Sequence, residues 1–202
     1  MTTRRRKHVI GLTGNIACGK STVVAQLVEL GAEAIDGDRV AHANMGPNSP
    51  LAPALVAEFG PDVINPDGSV NRAALGAIVF SDPAKLARLE ELAWPPVLAT
   101  MRAAMERAEP EVLVLDAIKL IEAGIAAECD ELWVVTCSRE QQIARIMARN
   151  NVDRAEAERR IDAQPPQEEK IAQADVVFHN DGMLEELREQ VLHQWRRLTG
   201  AS

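Results

Sequence analysis

His8-Val9-Ile10-Gly11-Leu12-Thr13, then Gly14-Asn15-Ile16-Ala17-Cys18-Gly19-Lys20-Ser21-Thr22, then Val23-Val24-Ala25-Gln26-Leu27-Val28-Glu29-Leu30 are the stretch on which the fold turns. The first block is a short apolar run containing β-branched residues, the pattern of a buried strand. The last carries Val23, Leu27 and Leu30 at helical spacing and meets Gly31, a good helix stop. Between them, Gly14 to Ser21 satisfies G-x-x-x-x-G-K-[ST] in full. A glycine-rich bend between a strand and a helix suits a polyphosphate. Glycines let backbone N–H groups converge on it, and the helix start adds unpaired donors and a positive dipole end. In such a loop the lysine, Lys20, reaches the β- and γ-phosphates of a nucleotide, and the Ser21 hydroxyl sits on Mg²⁺. Gly14, Asn15, Ile16, Ala17, Cys18, Gly19, Lys20, Ser21 and Thr22 are the expected nucleotide-binding residues.

Outward from this stretch, Ala34-Ile35-Asp36 reads as a second short strand. From Arg39 to Ala108 strands give way to helices, separated by turn signals such as Gly46-Pro47, Asp67-Gly68 and Pro95-Pro96. Asp82 followed by Pro83 marks one helix start, with Leu86, Leu89 and Leu92 on one face. The strand rhythm returns with Val112 to Asp116, Leu132 to Cys137 and Asp175 to Asn180. Ser138 with Gln141, and Asp153 with Glu156, have capping-box spacing. A last helix runs from Leu184 to about Leu198. Apolar strands alternating with helices predict an α/β fold, a doubly wound parallel five-stranded sheet. The expected core is 8–38 with 109–202, interrupted by a helical subdomain, 39–108, and preceded by a basic tail, 1–7.

Several side chains are candidates for chemistry. Asp116 ends an apolar strand, where phosphate-loop proteins place a metal-holding acid; a helix cap or a solvated strand end is the structural alternative. Asp36 and Asp38 follow the second strand, at the edge where open α/β sheets bind ligands. Transfer of a phosphoryl group to an alcohol needs a carboxylate that orients the hydroxyl and takes its proton. Asp38 is assigned that role and Asp36 a cap. Arg145 and Arg149 share one helix face and Arg160 lies on the next helix; guanidinium groups there can clamp phosphoryl oxygens as a mobile segment closes. Cys18, near a helix start and Lys20, is either a reactive thiolate or a small apolar filler.

The composition fits this reading. The chain has 202 residues, 47% of them hydrophobic and 26% charged, enough apolar material for a core. Thirty acids against 22 bases give a net charge of −8, and aromatics are 3%, which argues against nucleic-acid binding. No apolar run approaches a spanning helix, and Val9 to Leu12 is too short for a signal-peptide core, so no membrane association is expected. Cys18, Cys129 and Cys137 are neither a disulfide framework nor zinc ligands and fit a reducing cytoplasm.

The chain also resembles the dephospho-coenzyme A kinase family, over nearly its whole length after the basic tail. The resemblance is carried by Gly11-Leu12-Thr13-Gly14, Cys18 to Thr22, Ile35-Asp36-Gly37-Asp38, Ala41-His42, Phe59-Gly60, Asp67-Gly68-Ser69, Arg72 with Leu75, and Ile78 to Asp82. Leu89-Glu90, Pro95, Leu115-Asp116, Leu120 with Glu122, Arg145 with Arg149, Arg160 with Gln164, and Asp175 with Asn180 and Gly182 complete it. The resemblance implies that ATP, with Mg²⁺, phosphorylates the ribose 3′-hydroxyl of dephospho-coenzyme A. It implies a nucleotide core, a substrate subdomain in the 39–108 block, and a helical lid at about 145–172. It maps the base onto Asp38, the lid arginines onto Arg145 and Arg149, and the adenine neighbourhood onto Asn180 and Gly182. The expected state is a cytoplasmic monomer or weak homo-oligomer. The sequence departs from the family pattern at Trp94-Pro95, where His-Pro is common. It departs again at Ala117-Ile118-Lys119, where x-Pro-Leu is common after the aspartate. Lys119 is either an acceptor-phosphate contact or a solvated lysine. A kinase for another small acceptor, such as a nucleoside monophosphate, and a non-catalytic ATP-binding switch are the alternatives.

Overall fold

A computed structural model describes residues 7–200. The basic run Arg4-Arg5-Arg6, and so nearly all of the expected tail, lies outside the described residues. The elements are β1 (His8–Thr13), α1 (Lys20–Glu29), β2 (Glu33–Asp36), α2 (Gly37–Ala43), α3 (Ala52–Phe59), α4 (Arg72–Val79), α5 (Pro83–Arg107) and β3 (Val112–Asp116). They continue with β4 (Glu131–Thr136), α6 (Arg139–Asn150), α7 (Arg154–Asp162), α8 (Gln167–Ile171), β5 (Val176–His179) and α9 (Leu184–Thr199).

The five strands form one parallel sheet in the order β2-β3-β1-β4-β5. β1 lies at its centre, with Ile10 opposite Val114 of β3 and Leu12 opposite Trp133 of β4. Central parallel strands are covered on both faces, which is why β1, β3 and β4 are almost wholly apolar. Alternation sends Ile10, Leu12, Val112, Val114, Trp133 and Val135 into one core, closed by Val23 and Leu27 of α1 and Leu187 and Val191 of α9. Trp133 meets Phe178 edge to face, ring centroids 5.3 Å apart.

The chain divides into two compact units. One comprises the residues up to Ile35 and from Ala108 onward; the other is Asp36–Arg107. The second begins three residues before the expected boundary because Asp36 closes the strand by capping α2, its carboxylate accepting from the Arg39 amide at 2.8 Å. This unit has its own core: Leu51, Leu55, Val63, Val70, Leu75 and Val79, flanked by Leu86, Leu89 and Leu92. Pro95-Pro96 does not separate two helices here. α5 runs through both prolines for 25 residues. Interior prolines cost backbone hydrogen bonds, but Val97 and Met101 extend the apolar stripe and are buried, so packing outweighs the loss.

The capping boxes differ from expectation as well. Ser138 does not cap α6 through its side chain. Its amide instead donates to Asp181 Oδ1 at 2.6 Å, and Gln141 Nε2 donates to the Asp181 carbonyl. Asp153 caps α7, but Glu156 is drawn away from the box by Arg159 and Arg160. The hydrogen bond from the Ser138 amide holds the Asp181 carboxyl below the usual range. A depressed carboxylate adds stability that is complete above its unfolded value, about 3.9, and fades as pH falls toward the folded one. Asp181→Ala is therefore expected to lower Tm at neutral pH, with the gap to the parent closing below about pH 4. Calorimetry across pH 3 to 7 measures this, and a gap independent of pH would contradict it.

Candidate active site

The site is built at the carboxyl end of β1. Two glycines of the loop are obligatory. A Cβ on Gly14 would stand 2.4 Å from the Val135 carbonyl oxygen, and one on Gly19 would stand 2.1 Å from Asn180 Nδ2. Gly19 also has φ +96°, in the left-handed region. The loop carbonyls are drawn backward into the protein. Ile16 accepts from Gln142 Nε2 at 2.9 Å, Ala17 from Arg145 Nη1 at 3.2 Å, and Cys18 from Asn180 Nδ2 at 2.8 Å. Two more bonds tie the loop on its other side: Asn15 Nδ2 to the Pro165 carbonyl at 2.9 Å and the Ile16 amide to Gln164 Oε1 at 2.7 Å. With the carbonyls turned away, the amides of Lys20 and Ser21 have no helical acceptor and remain donors for an anion, while those of Thr22 and Val23 bond back to the Gly19 carbonyl.

A cavity of about 700 Å³ opens over this loop, lined by Gly14 to Ala17, Gly19, Lys20, Ser21, Ile118, Arg145, Ala148 and Arg149. Lys20, in this lining, is paired with Asp116, both side chains being only 14% exposed. Arg145 also donates through Nη2 to the Asn180 carbonyl at 2.8 Å, so its guanidinium links the Ala17 and Asn180 carbonyls. α6 and α7 pack on the loop through Ile143, Ile146, Ala157 and Ile161 against Ile16 and Ala17.

Other expected residues lie elsewhere. Asn180 is buried, its amide engaged with Cys18, and neither it nor Gly182 lines this cavity. Arg160 bonds to Glu156 on its own helix and is also absent from the lining. Thr22 stands on α1 outside the cavity. Asp38 is exposed in the first turn of α2, in the Asp36–Arg107 unit, where Arg72 Nη1 lies 3.1 Å from His42 Nδ1. Cys18 is not an activated thiolate. It is buried, and the adjoining Cys137 thiol together with burial pushes its thiol up. Gln142 and Pro165 were missed by sequence reasoning, and Gln164, which helps carry the resemblance, was given no role of its own. Gln142 and Pro165 carried no signal beyond position, since polar residues in amphipathic helices and loops ordinarily read as solvated.

Ser21 and Asp116 are hard oxygen donors of the kind Mg²⁺ takes alongside phosphate and water. Among the described residues no group of three or more His, Cys, Asp and Glu is arranged to hold a metal. No helix among the described residues is long and apolar enough to cross a membrane.

A parallel sheet with a phosphate loop after its central strand, a lysine–aspartate pair and two cavity arginines define a P-loop kinase. The comparisons narrow the class. A family model for dephospho-CoA kinase matches residues 8–186. Dephospho-CoA kinases of Geobacter sulfurreducens and Symbiobacterium thermophilum are each 44% identical, covering 94% and 96% of this chain and 98% and 82% of their own lengths. TT1252 from Thermus thermophilus superposes with a TM-score of 0.81 at 33% identity, covering 96% of this chain and all of that one. A shikimate kinase from Bacteroides thetaiotaomicron, TM-score 0.56 at 13% identity, shares the fold alone. The chain belongs to the dephospho-CoA kinase family.

The loop geometry yields a direct expectation. Gly19→Ala combines a left-handed φ, costing about 1–3 kcal/mol, with a clash against a buried, bonded amide. It should lower the denaturant midpoint and abolish ATP binding measured by calorimetric titration. Adding Asn180→Ala removes the clash but keeps the strain and leaves the Cys18 carbonyl without its donor, so stability should recover only in part. Full recovery would show that φ is unimportant there.

Proposed function

We propose that this protein transfers the γ-phosphoryl group of ATP to the ribose 3′-hydroxyl of dephospho-coenzyme A, giving coenzyme A and ADP. The observation that carries this reading is the loop itself, its carbonyls bound from behind while Lys20, Ser21, Arg145 and Arg149 face one cavity, in a chain of this family. Lys20 leaves Asp116 for the β- and γ-phosphates when nucleotide enters. Arg145 and Arg149 spread the charge on the moving group. Ser21 and Asp116 would hold Mg²⁺, which would neutralise phosphate charge when bound. Asp38 orients the acceptor hydroxyl and takes its proton as the new O–P bond forms and the bond to ADP breaks. The Asp36–Arg107 unit receives the acceptor, and residues 145–172 act as the lid.

A coupled ADP-release assay tests the reading. Turnover is expected with ATP, Mg²⁺ and dephospho-coenzyme A, and only background with nucleoside monophosphates. Equal rates on a nucleoside monophosphate would reassign the acceptor, and absence of acceptor-dependent ADP release would remove catalysis.

A further inference from the structure

Lys170, on the short helix α8, is buried to 4% exposure. Lysine ordinarily keeps its ammonium in water, and burying one is costly unless it is paired and hydrogen-bonded. Here Nζ donates to the Ile118 carbonyl at 2.6 Å and lies 3.5 Å from Glu122 Oε1. Thr13 Oγ1 donates to that same carbonyl at 3.0 Å. Ile118 lies two residues beyond Asp116 and lines the phosphate-loop cavity, and the intervening Ala117 amide donates to the Leu12 carbonyl at 3.2 Å. The turn that follows Asp116 is thus pinned at three points, one of them cationic.

The pinning is continuous with the loop fastening. Three residues before Lys170, Gln167 accepts from Thr136 Oγ1 and donates to the Cys137 carbonyl. Before that, Gln164 and Pro165 hold Ile16 and Asn15. One strap, residues 164–170, therefore grips both the phosphate loop and the turn after Asp116, and Lys170 is its charged end. We infer that Lys170 is a positioning residue of the phosphotransfer site. Its ammonium fixes the Ile118 carbonyl, and through it the direction of the Asp116 carboxylate. A cationic donor suits this task because it binds a carbonyl more strongly than a neutral one. Lys170 touches no reacting atom. The inference rests on the function proposed above, in which Asp116 serves the metal.

Lys170→Met keeps the length and removes the charge, leaving Ile118 with Thr13 alone. Outer-sphere residues of this kind typically change metal affinity or activity by about 10–100-fold. The Mg²⁺ concentration for half-maximal turnover is expected to rise at least about tenfold. Amide hydrogen exchange at Ala117 should accelerate in the protein without nucleotide. Glu122→Gln leaves the Lys170–Ile118 bond in place and should shift both readouts less. A folded Lys170→Met protein with parental Mg²⁺ dependence and parental exchange at Ala117 overturns the inference. Should that variant fail to fold, Lys170→Gln, a neutral donor, is judged by the same two readouts. Failure of both to fold would make Lys170 a folding residue and also overturn it. A parent inactive on dephospho-coenzyme A would refute the proposed function, while Ala117 exchange would still decide whether Lys170 holds the turn.

Discussion

Lys20→Met is expected to remove nearly all turnover. Lys20 is the ammonium of the phosphate loop, and it reaches the cavity that Arg145 and Arg149 also line. Loss of one well-placed electrostatic contact to a developing charge typically costs ~10²–10³ in rate. A second consequence is structural. Asp116, 14% exposed and paired with Lys20, would be left partly desolvated without its cation, which destabilises a fold. The two effects separate in a double variant. Lys20→Met with Asp116→Asn should regain much of the stability and none of the turnover. Thermal melting and the ADP-release assay measure the two, and near-parent turnover in Lys20→Met would end the phosphate assignment.

Asp38→Asn is the second large effect. A positioned general base typically contributes ~10²–10⁴ in rate, so kcat should fall by about that much. ATP affinity should hardly change, because Asp38 is not part of the loop that holds the phosphates. Its place in the first turn of α2 gives it a favourable interaction with the helix dipole of only about 0.3–1 kcal/mol. A small change in Tm beside a large change in kcat therefore distinguishes a base from a cap. Retention of near-parent turnover would move the base elsewhere.

How far the site could be read in advance depended on whether a residue's task is local. The phosphate loop was legible because its requirements are met by neighbours in sequence: a strand, glycines, a lysine, a hydroxyl and a helix start. Asp36 capping α2 and Asp82 capping α5 were legible for the same reason. The Ser138–Gln141 box was misread because Asp181, 43 residues away, offers the Ser138 amide a charged acceptor. Cys18 stayed open between a reactive thiolate and an apolar filler because the sequence shows the adjacent helix start and Lys20 but not Cys137 beside the thiol.

The sequence by itself determined the α/β class, the phosphate loop, the acid at the end of β3 and the helical block before it, since strand and helix periodicity and turn chemistry act over a few residues. Only the tertiary structure decided how the loop is held. Gln142, Gln164, Arg145 and Asn180 lie 126 to 162 residues along the chain from the carbonyls and amide they bind. Burial of an unpaired carbonyl is costly, and no local pattern records which distant donor will satisfy it. The same holds for α5, whose buried stripe overrides two prolines, and for Lys170, whose ammonium reads as a surface charge until the turn after Asp116 folds onto it.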